Sequence, residues 1–350
     1  MSAYRWLRPA LFALDAEVSH DIVLRALGFA SRHPALLARI EHRYRARIPD
    51  DPVKAMGLTF ANPVGLAAGL DKQASAAPAL CAPGFGFVEL GTVTPEPQPG
   101  NKRPRMFRLT ADGAIINRMG FNSRGLDVFL HNLRRYRPRC VTGINIGKNA
   151  ATPMERALDD YLIGLRAVYD DADYVTVNIS SPNTAGLRDL QQDTGLRVLL
   201  AGLKRCRFEL SDRVGRRVPI AIKIAPDLEG DEVAAIARLC IEYGMDAVIA
   251  TNTTVTRPVP AGRKYADESG GLSGAPLAAR STEVVAELSR ALDGALPIIA
   301  AGGIMSGADA VERLQAGATL VQLYTGLVYR GPDLVAEVAE AVRRYRQGSH

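Results

Sequence analysis

Residues 219–226 read PIAIKIAP, and the next apolar run, residues 247–253, reads AVIATNT. Both are apolar almost without a break, and the stretch between them, residues 231–243, spaces its apolar side chains as a helix does. A strand that does not alternate is covered on both faces, and strands of that kind joined by helices pair in parallel. Working outward, the same unit recurs. Further runs stand at residues 63–69, 87–94, 142–148, 174–181, 297–303 and 320–328, with helical stretches such as 282–292 in most of the gaps. Eight runs predict a closed (β/α)8 TIM barrel of the α/β class over a doubly wound open sheet. Long polar or glycine-rich insertions follow runs two, four and six.

Ahead of the barrel, residues 1–49 read as a small helical extension, and Pro49, Asp50, Asp51 and Pro52 mark the boundary to a barrel domain over residues 50–350. Asp15 is placed to cap a helix whose apolar face carries Val18, Ile22, Leu27 and Phe29; Pro34 suits the first turn of a second, with Leu36, Leu37, Ile40 and Tyr44. Trp6, Leu7, Leu11 and Phe12 precede them, between and beyond Arg5 and Arg8. The segment holds eight arginines, no lysine and four carboxylates, so four of the chain's six excess positive charges sit in it. That is either a solvated face or a surface attracted to anionic lipid or nucleic acid. No apolar run approaches the roughly 20 residues that span a bilayer, and the layout of a signal peptide is missing. Cys81, Cys140, Cys206 and Cys240 lie far apart without a CxxC pair, which argues against a disulfide framework, a zinc site or an iron–sulfur cluster and suits a reducing cytosol. Three of the five histidines, His20, His33 and His42, lie in the first segment, which disfavours a histidine-rich metal centre in the barrel.

In such a barrel the chemistry sits where strands end. Those ends read GLDK (69–72), GTVT (91–94), NIGKN (145–149), NISSPNT (178–184), KIAPD (223–227), TNTT (251–254), AGGI (301–304) and YTG (324–326). Lys223, between two isoleucines, is costly in a buried strand unless matched. It is either salt-bridged to a neighbouring strand or, the reading we prefer, a ligand contact. Asn145 and Asn178 sit in similar company, and together with Lys223 they suggest a polar ring. AGGI and YTG, after runs seven and eight, present unobstructed backbone N–H groups where these barrels hold phosphate. No GxGxxG follows a strand, because Gly84 and Gly86 lead to Glu89, and no GxxxxGK[ST] loop is present. A phosphorylated cofactor held without a dinucleotide fingerprint is most economically FMN.

These motifs, with GLAAGLDK (65–72), GTVTPEPQPGNKRPRMFRL (91–109), NRMGFNS (117–123), GINIGKN (143–149) and GGLSG (270–274), resemble in order and over the whole chain those of dihydroorotate dehydrogenases. NISSPNT, with Ser181 where soluble class 1 members carry cysteine, and the N-terminal extension resemble the class 2, quinone-linked type. The resemblance implies oxidation of (S)-dihydroorotate to orotate in pyrimidine biosynthesis, with FMN as cofactor and a membrane quinone as acceptor. Ser181 would take the C5 proton while hydride leaves C6, with Thr184 and Phe121 shaping a water path beside it. Lys72, Asn117, Asn178, Asn183, Asn252 and Thr253, and the Arg118, Met119, Gly120 and Phe121 segment, would hold the substrate. Ala68, Lys72, Thr92, Asn145, Asn178, Lys223 and Thr251 would line the flavin, with Lys223 facing its N1–O2 edge. Gly274, Gly303, Tyr324 and Thr325 would hold its phosphate end. His20, Arg108 and Tyr324 match quinone-tunnel positions; on its own, His20 reads as an exposed polar residue of an amphipathic helix. The helices would rest on the bilayer, making the enzyme a peripheral protein at the cytoplasmic face of the cell membrane.

Two bland readings stand beside these: Pro95, Pro97, Pro99 and Pro104 stiffen a loop, and Arg134, Arg135, Arg137 and Arg139 form a solvated surface. Rival functions are a class 1-type enzyme with a soluble acceptor, a tRNA dihydrouridine synthase, and a non-catalytic membrane-associated binding protein. Aromatic content of 6% and a charge excess that lies mostly in the N-terminal segment speak against a nucleic-acid partner.

Overall fold

The structure, a computed structural model, describes residues 3–259 and 262–348; the outermost residues of both expected segments, and residues 260 and 261, lie outside them. Three helices come first, α1 (Ala3–Ala13), α2 (Ala16–Ser31) and α3 (Pro34–Tyr44). A hairpin of β1 (Val53–Ala55) and β2 (Leu58–Phe60) follows, then β3 (Val64–Leu66), α4 (Ala77–Cys81), β4 (Phe87–Val93), β5 (Met106–Leu109), β6 (Ala114–Asn117) and α5 (Gly125–Arg135). The chain continues through β7 (Val141–Ile146), α6 (Ala157–Val168), β8 (Tyr174–Asn178), α7 (Asp193–Val214), β9 (Ile220–Ile224), α8 (Gly230–Glu242), β10 (Ala247–Ala250) and β11 (Gly271–Gly274). It ends with α9 (Ala278–Leu292), β12 (Ile298–Ala301), α10 (Gly307–Gln315), β13 (Leu320–Leu323), α11 (Thr325–Arg330) and α12 (Asp333–Gly348).

Eight parallel strands close a barrel in the order β10-β12-β13-β3-β4-β7-β8-β9. Seven fall within the expected apolar runs and β7 starts one residue before its run, and the (β/α)8 expectation holds. Residues two apart share a face of a strand, so each strand sends alternate side chains inward. The lowest inner layer is apolar: Phe87, Tyr174, Ala221, Ile249, Ile299 and Leu320 form one buried cluster, closed from below by Phe60 of the β1–β2 hairpin. Phe60 and Phe87 meet edge to face at 5.2 Å. Gly65 and Gly143 make room for this layer, since a Cβ would lie 2.2 Å from the Phe87 ring and 2.1 Å from that of Tyr174. Replacing Phe87 by alanine would cost about 3–5 kcal/mol. The next inward positions, Glu89, Asn145, Thr176, Lys223 and Gln322, are all buried and polar. Two turns of one period therefore carry the barrel from a dry plug to a polar floor. Outward-facing residues such as Val88, Leu90, Ile144, Val175 and Val177 pack under the helices.

Four differences from the sequence-based expectations have physical causes. Trp6, Leu7, Leu11 and Phe12 belong to a third N-terminal helix, α1, although Pro9 within it removes one interior N–H from the helical hydrogen-bond ladder. The run at 320–328 ends as a strand at Leu323 and turns into α11, because an apolar stretch that short does not separate strand from helix. Within the glycine-rich insertion after run six, GGLSG is a strand: residues 271–274 pair antiparallel with β6, and β5, β6 and β11 form a three-stranded sheet beside the barrel mouth. Finally, Cys81 and Cys140, 59 residues apart and expected to be unpaired, are joined in a disulfide, Cα–Cα 6.1 Å. Both precede paired strands (Phe87 lies opposite Val141), which brings them together at the same end of the barrel. Asp15 caps α2 as expected, accepting from the Glu17 and Val18 N–H groups.

Candidate functional site

Above the polar floor lies a cavity of about 1060 Å³, open at its mouth. The strand ends supply its wall: Ala68 and Lys72 after β3, Thr92 on β4, Asn178 and Ser181 at the end of β8, Lys223 on β9, and Thr251, Asn252 and Thr253 after β10. Gly303 follows β12, and Tyr324 and Thr325 follow β13. The insertions complete it with Asn117, Met119, Gly120, Phe121, Asn183 and Gly274. Every one of these was singled out in the sequence. Two others were not brought to the wall. Asn145 lies behind it, and Arg118 turns away: its guanidinium pairs with Glu268 at 2.7 Å, donates to Pro104 O and lies over the Phe107 ring. On β6 the side chains alternate, so Asn117 facing in puts Arg118 out. Arg118 thus ties β5 and the segment before it to the segment before β11 and offers the cavity no charge.

The amides form two hydrogen-bonded groups, one around Asn178 and one pairing Asn183 with Asn117. Thr92 Oγ1 donates to Asn145 Oδ1 (2.5 Å), and Asn178 Nδ2 donates to both Thr92 Oγ1 and Asn145 Oδ1 (3.1 and 3.3 Å). Asn252 Nδ2 donates to Asn178 Oδ1 and Ser180 Oγ, and Asn183 Nδ2 to Asn117 Oδ1. Beneath them Glu89, which sequence reading noticed only as the residue spoiling a glycine motif, accepts from Asn145 Nδ2, Gln322 Nε2 and Tyr174 OH at 2.8–3.1 Å. The carboxylate fixes which way the Asn145 amide points, and hence the donor and acceptor pattern above it. Its only sequence signal was a charged residue inside an apolar run.

Two cations face the cavity. Burial, with Arg105 adding to it, pushes the Lys72 ammonium down to about 8, while its Nζ donates to Gly69 O at 2.7 Å. Burial likewise holds Lys223 below its ordinary value, against the pull of Glu89. Lys223 makes no hydrogen bond or ion pair with another of the described residues, so the salt-bridge alternative does not hold. Gln322 Oε1 is also buried without a partner. An unpaired lysine and an orphaned amide oxygen lining one cavity fit a polar, anionic-edged planar group such as a flavin. Ser181 is buried, and its Oγ accepts from Asn183 N at 3.3 Å. Among the described residues no cluster of His, Cys, Asp and Glu could hold a metal ion.

A second cavity, about 1320 Å³, lies between the N-terminal helices and the barrel. Its wall is almost wholly apolar, with Leu11, Phe12, Val23, Leu24, Leu27 and Ile40 from the helices facing Leu80 and Phe85. His20, Arg108 and Tyr324 are among its polar lining residues, with Tyr4, Ser19 and Tyr44. Burial, and then the nearby Lys72 charge, push His20 down to about 4, so the ring is neutral; burial pushes Tyr324 up to about 12. Arg108 lies over the Phe12 ring and donates to the Leu11 and Leu14 carbonyls, closing the end of α1. The two cavities share a wall of Met106, Ile115 and Tyr324. A buried ion pair, unforeseen in the sequence, fastens α2 beside it: Arg105 Nη2 meets Glu17 at 2.8 Å, and its Nη1 donates to Pro99 O and Asn101 O.

The face of α2 expected to pack is split. Leu27 lines the second cavity, but Val18, Ile22 and Phe29 are about half exposed, as are Trp6 and Leu7 of α1 to a greater degree. The helices are therefore apolar on two sides. No helix among the described residues is long and apolar enough to cross a membrane.

Comparison with known proteins agrees with this geometry. The family model described as Dihydroorotate dehydrogenase matches residues 52–345. A Dihydroorotate dehydrogenase (quinone) from Chromobacterium violaceum is 57% identical over 98% of both chains, and one from Methylococcus capsulatus is 54% identical over 96% of this chain and 97% of its own. Among solved structures, ligand-free DHODH from Eimeria tenella superposes with a TM-score of 0.85 at 41% identity, covering 96% of each chain. Fold, polar cavity and kinship agree, and the chain belongs to the dihydroorotate dehydrogenase family.

Proposed function

We propose that the protein oxidises (S)-dihydroorotate to orotate in pyrimidine biosynthesis and delivers the electrons to a membrane quinone, with FMN as cofactor. The observation that carries this reading is the pair of cavities, one polar and one apolar, meeting at Tyr324. FMN, when bound, supplies the two-electron chemistry that links the substrate to the quinone.

Lys72 faces the substrate carboxylate, and Asn117, Asn178, Asn183, Asn252 and Thr253 match its ring amides, with Met119, Gly120 and Phe121 closing over it. Ser181 Oγ takes the C5 proton. A serine hydroxyl is a weak base, and no carboxylate or imidazole bonds to Ser181 among the described residues. Its own proton therefore leaves through water held beside Thr184 and Phe121. Lys223 sets a positive charge against the cofactor ring, favouring electron uptake. Ala68, Thr92 and Thr251 line that ring, Asn145 acts through Thr92 and Asn178, and Gly274, Gly303, Tyr324 and Thr325 hold the phosphate end.

Residues 1–49 form the quinone-access segment and residues 50–350 the catalytic domain. The quinone enters the apolar cavity towards His20, Arg108 and Tyr324. The exposed Trp6, Leu7, Val18, Ile22 and Phe29, among arginines, rest on the cytoplasmic face of the membrane. The test is a steady-state assay of orotate formation with a short-chain ubiquinone or menaquinone analogue against fumarate and NAD. Fast turnover with a quinone and poor use of the soluble acceptors is expected; the reverse ranking overturns the acceptor, and absence of orotate with every acceptor overturns the reaction.

A further inference from the structure

Arg188 lies in the short 3-10 turn Leu187–Gln191, outside the wall of either cavity. Its guanidinium reaches three strand ends at once. Nε donates to Ser180 O (3.2 Å), Nη1 to Asp227 Oδ2 (2.7 Å) and Nη2 to Thr253 O (2.9 Å). Ser180 O belongs to the peptide that carries Ser181, and Thr253 stands opposite on the cavity wall. Asp227, at the end of β9, also accepts from Thr254 Oγ1 and from Val255 N (3.1 Å), so it holds the segment after β10 as well. The turn itself is pinned by Gln191 Oε1, which accepts from Ala225 N at 2.9 Å. The guanidinium and carboxylate are mostly buried, with side-chain exposures of 22% and 15%.

We propose that Arg188, held by Asp227, is a positioning residue that sets the distance between the Ser181 hydroxyl and the substrate held by Thr253. The assignment rests on the functional reading above. Three acceptors, one for each guanidinium nitrogen, match its fixed fork, and an ammonium cannot serve all three in the same way. Two of those acceptors are backbone carbonyls flanking functional side chains, which gives the contact a direct mechanical hold on both. A displacement of about 1 Å between a base and the bond it attacks costs on the order of 100-fold in rate.

The test uses the full-length flavin-loaded enzyme and the variants Arg188→Lys, Arg188→Ala and Asp227→Asn. Three quantities are read separately: flavin reduction by dihydroorotate, orotate affinity by calorimetry, and reoxidation by a short-chain quinone. Arg188→Ala is expected to slow reduction about 100-fold, and Arg188→Lys and Asp227→Asn about tenfold, with orotate affinity falling less than the rate. Flavin content and reoxidation should stay within about twofold of the parent. If Arg188→Ala does not fold, the Lys and Asn variants carry the comparison. Reduction within about threefold of the parent in these variants, or equal losses in reduction and reoxidation, would overturn the inference by leaving Arg188 a plain brace. A parent enzyme that dihydroorotate does not reduce sinks the functional reading and this inference together, whereas a fast Arg188→Ala sinks only the latter.

Discussion

The cavity at the barrel mouth and the cavity beneath the N-terminal helices share Met106, Ile115 and Tyr324, yet they are built by different means. The first is walled by strand ends. A closed parallel ladder fixes each backbone, and the Glu89 network below fixes the orientation of the Asn145 amide. The second is walled by helix faces packed through apolar side chains, a non-directional contact that tolerates a flexible guest. A rigid, hydrogen-bonding substrate suits the former and a long apolar molecule the latter. The difference also predicts that damage to one leaves the other working.

Ser181→Ala should show the largest effect: flavin reduction by dihydroorotate slowed by about 10³-fold, with reoxidation by quinone unchanged in stopped-flow traces. An equal loss in both steps would break the division between the cavities. In the opposite direction, Val23→Arg places an unpaired charge in the apolar wall, and quinone reoxidation should fall by at least about tenfold while orotate affinity holds.

The two regions should also separate by pH. The free Lys72 ammonium loses its proton at about 8, and it is the charged form that attracts the orotate carboxylate. Orotate affinity measured by calorimetry should be level below pH 8 and weaken about tenfold for each unit above it, a slope that Lys72→Met removes. His20 at about 4 and Tyr324 at about 12 do not change charge in that window, so the affinity for a quinone should stay level. The smallest effect concerns the outer face: Trp6→Ala should weaken sedimentation with anionic phospholipid vesicles by about fivefold, without altering turnover of a soluble quinone analogue.

How much of this was legible in the sequence follows the same division. Lys223, Asn145 and Asn178 stood out because polar residues inside apolar strands carry a burial cost that demands an explanation. The glycine-bearing strand ends could be placed because eight runs imply eight ends on one rim. Glu89 was as visible as Lys223, but its role depends on Asn145, Tyr174 and Gln322 meeting across the barrel, which linear spacing does not reveal. Arg118 sits in the same motif as Asn117, and only the alternation along β6 separates a brace from a contact. The second cavity was least legible. Apolar spacing along α2 marks one apolar face without saying that Leu27 meets the barrel while Val18, Ile22 and Phe29 remain open. The ion pair of Glu17 with Arg105, 88 residues apart in the chain, lies beyond any local pattern.

The central claim, two cavities serving two halves of one reaction, is tested most directly by anaerobic double-mixing stopped flow on the flavin-loaded enzyme. Dihydroorotate should bleach the flavin band in the first mix, and a short-chain quinone should restore it in the second; removal of residues 1–49 should spare the bleaching and abolish the recovery. Recovery with fumarate but not with a quinone, or unaltered recovery by the shortened chain, would contradict the account.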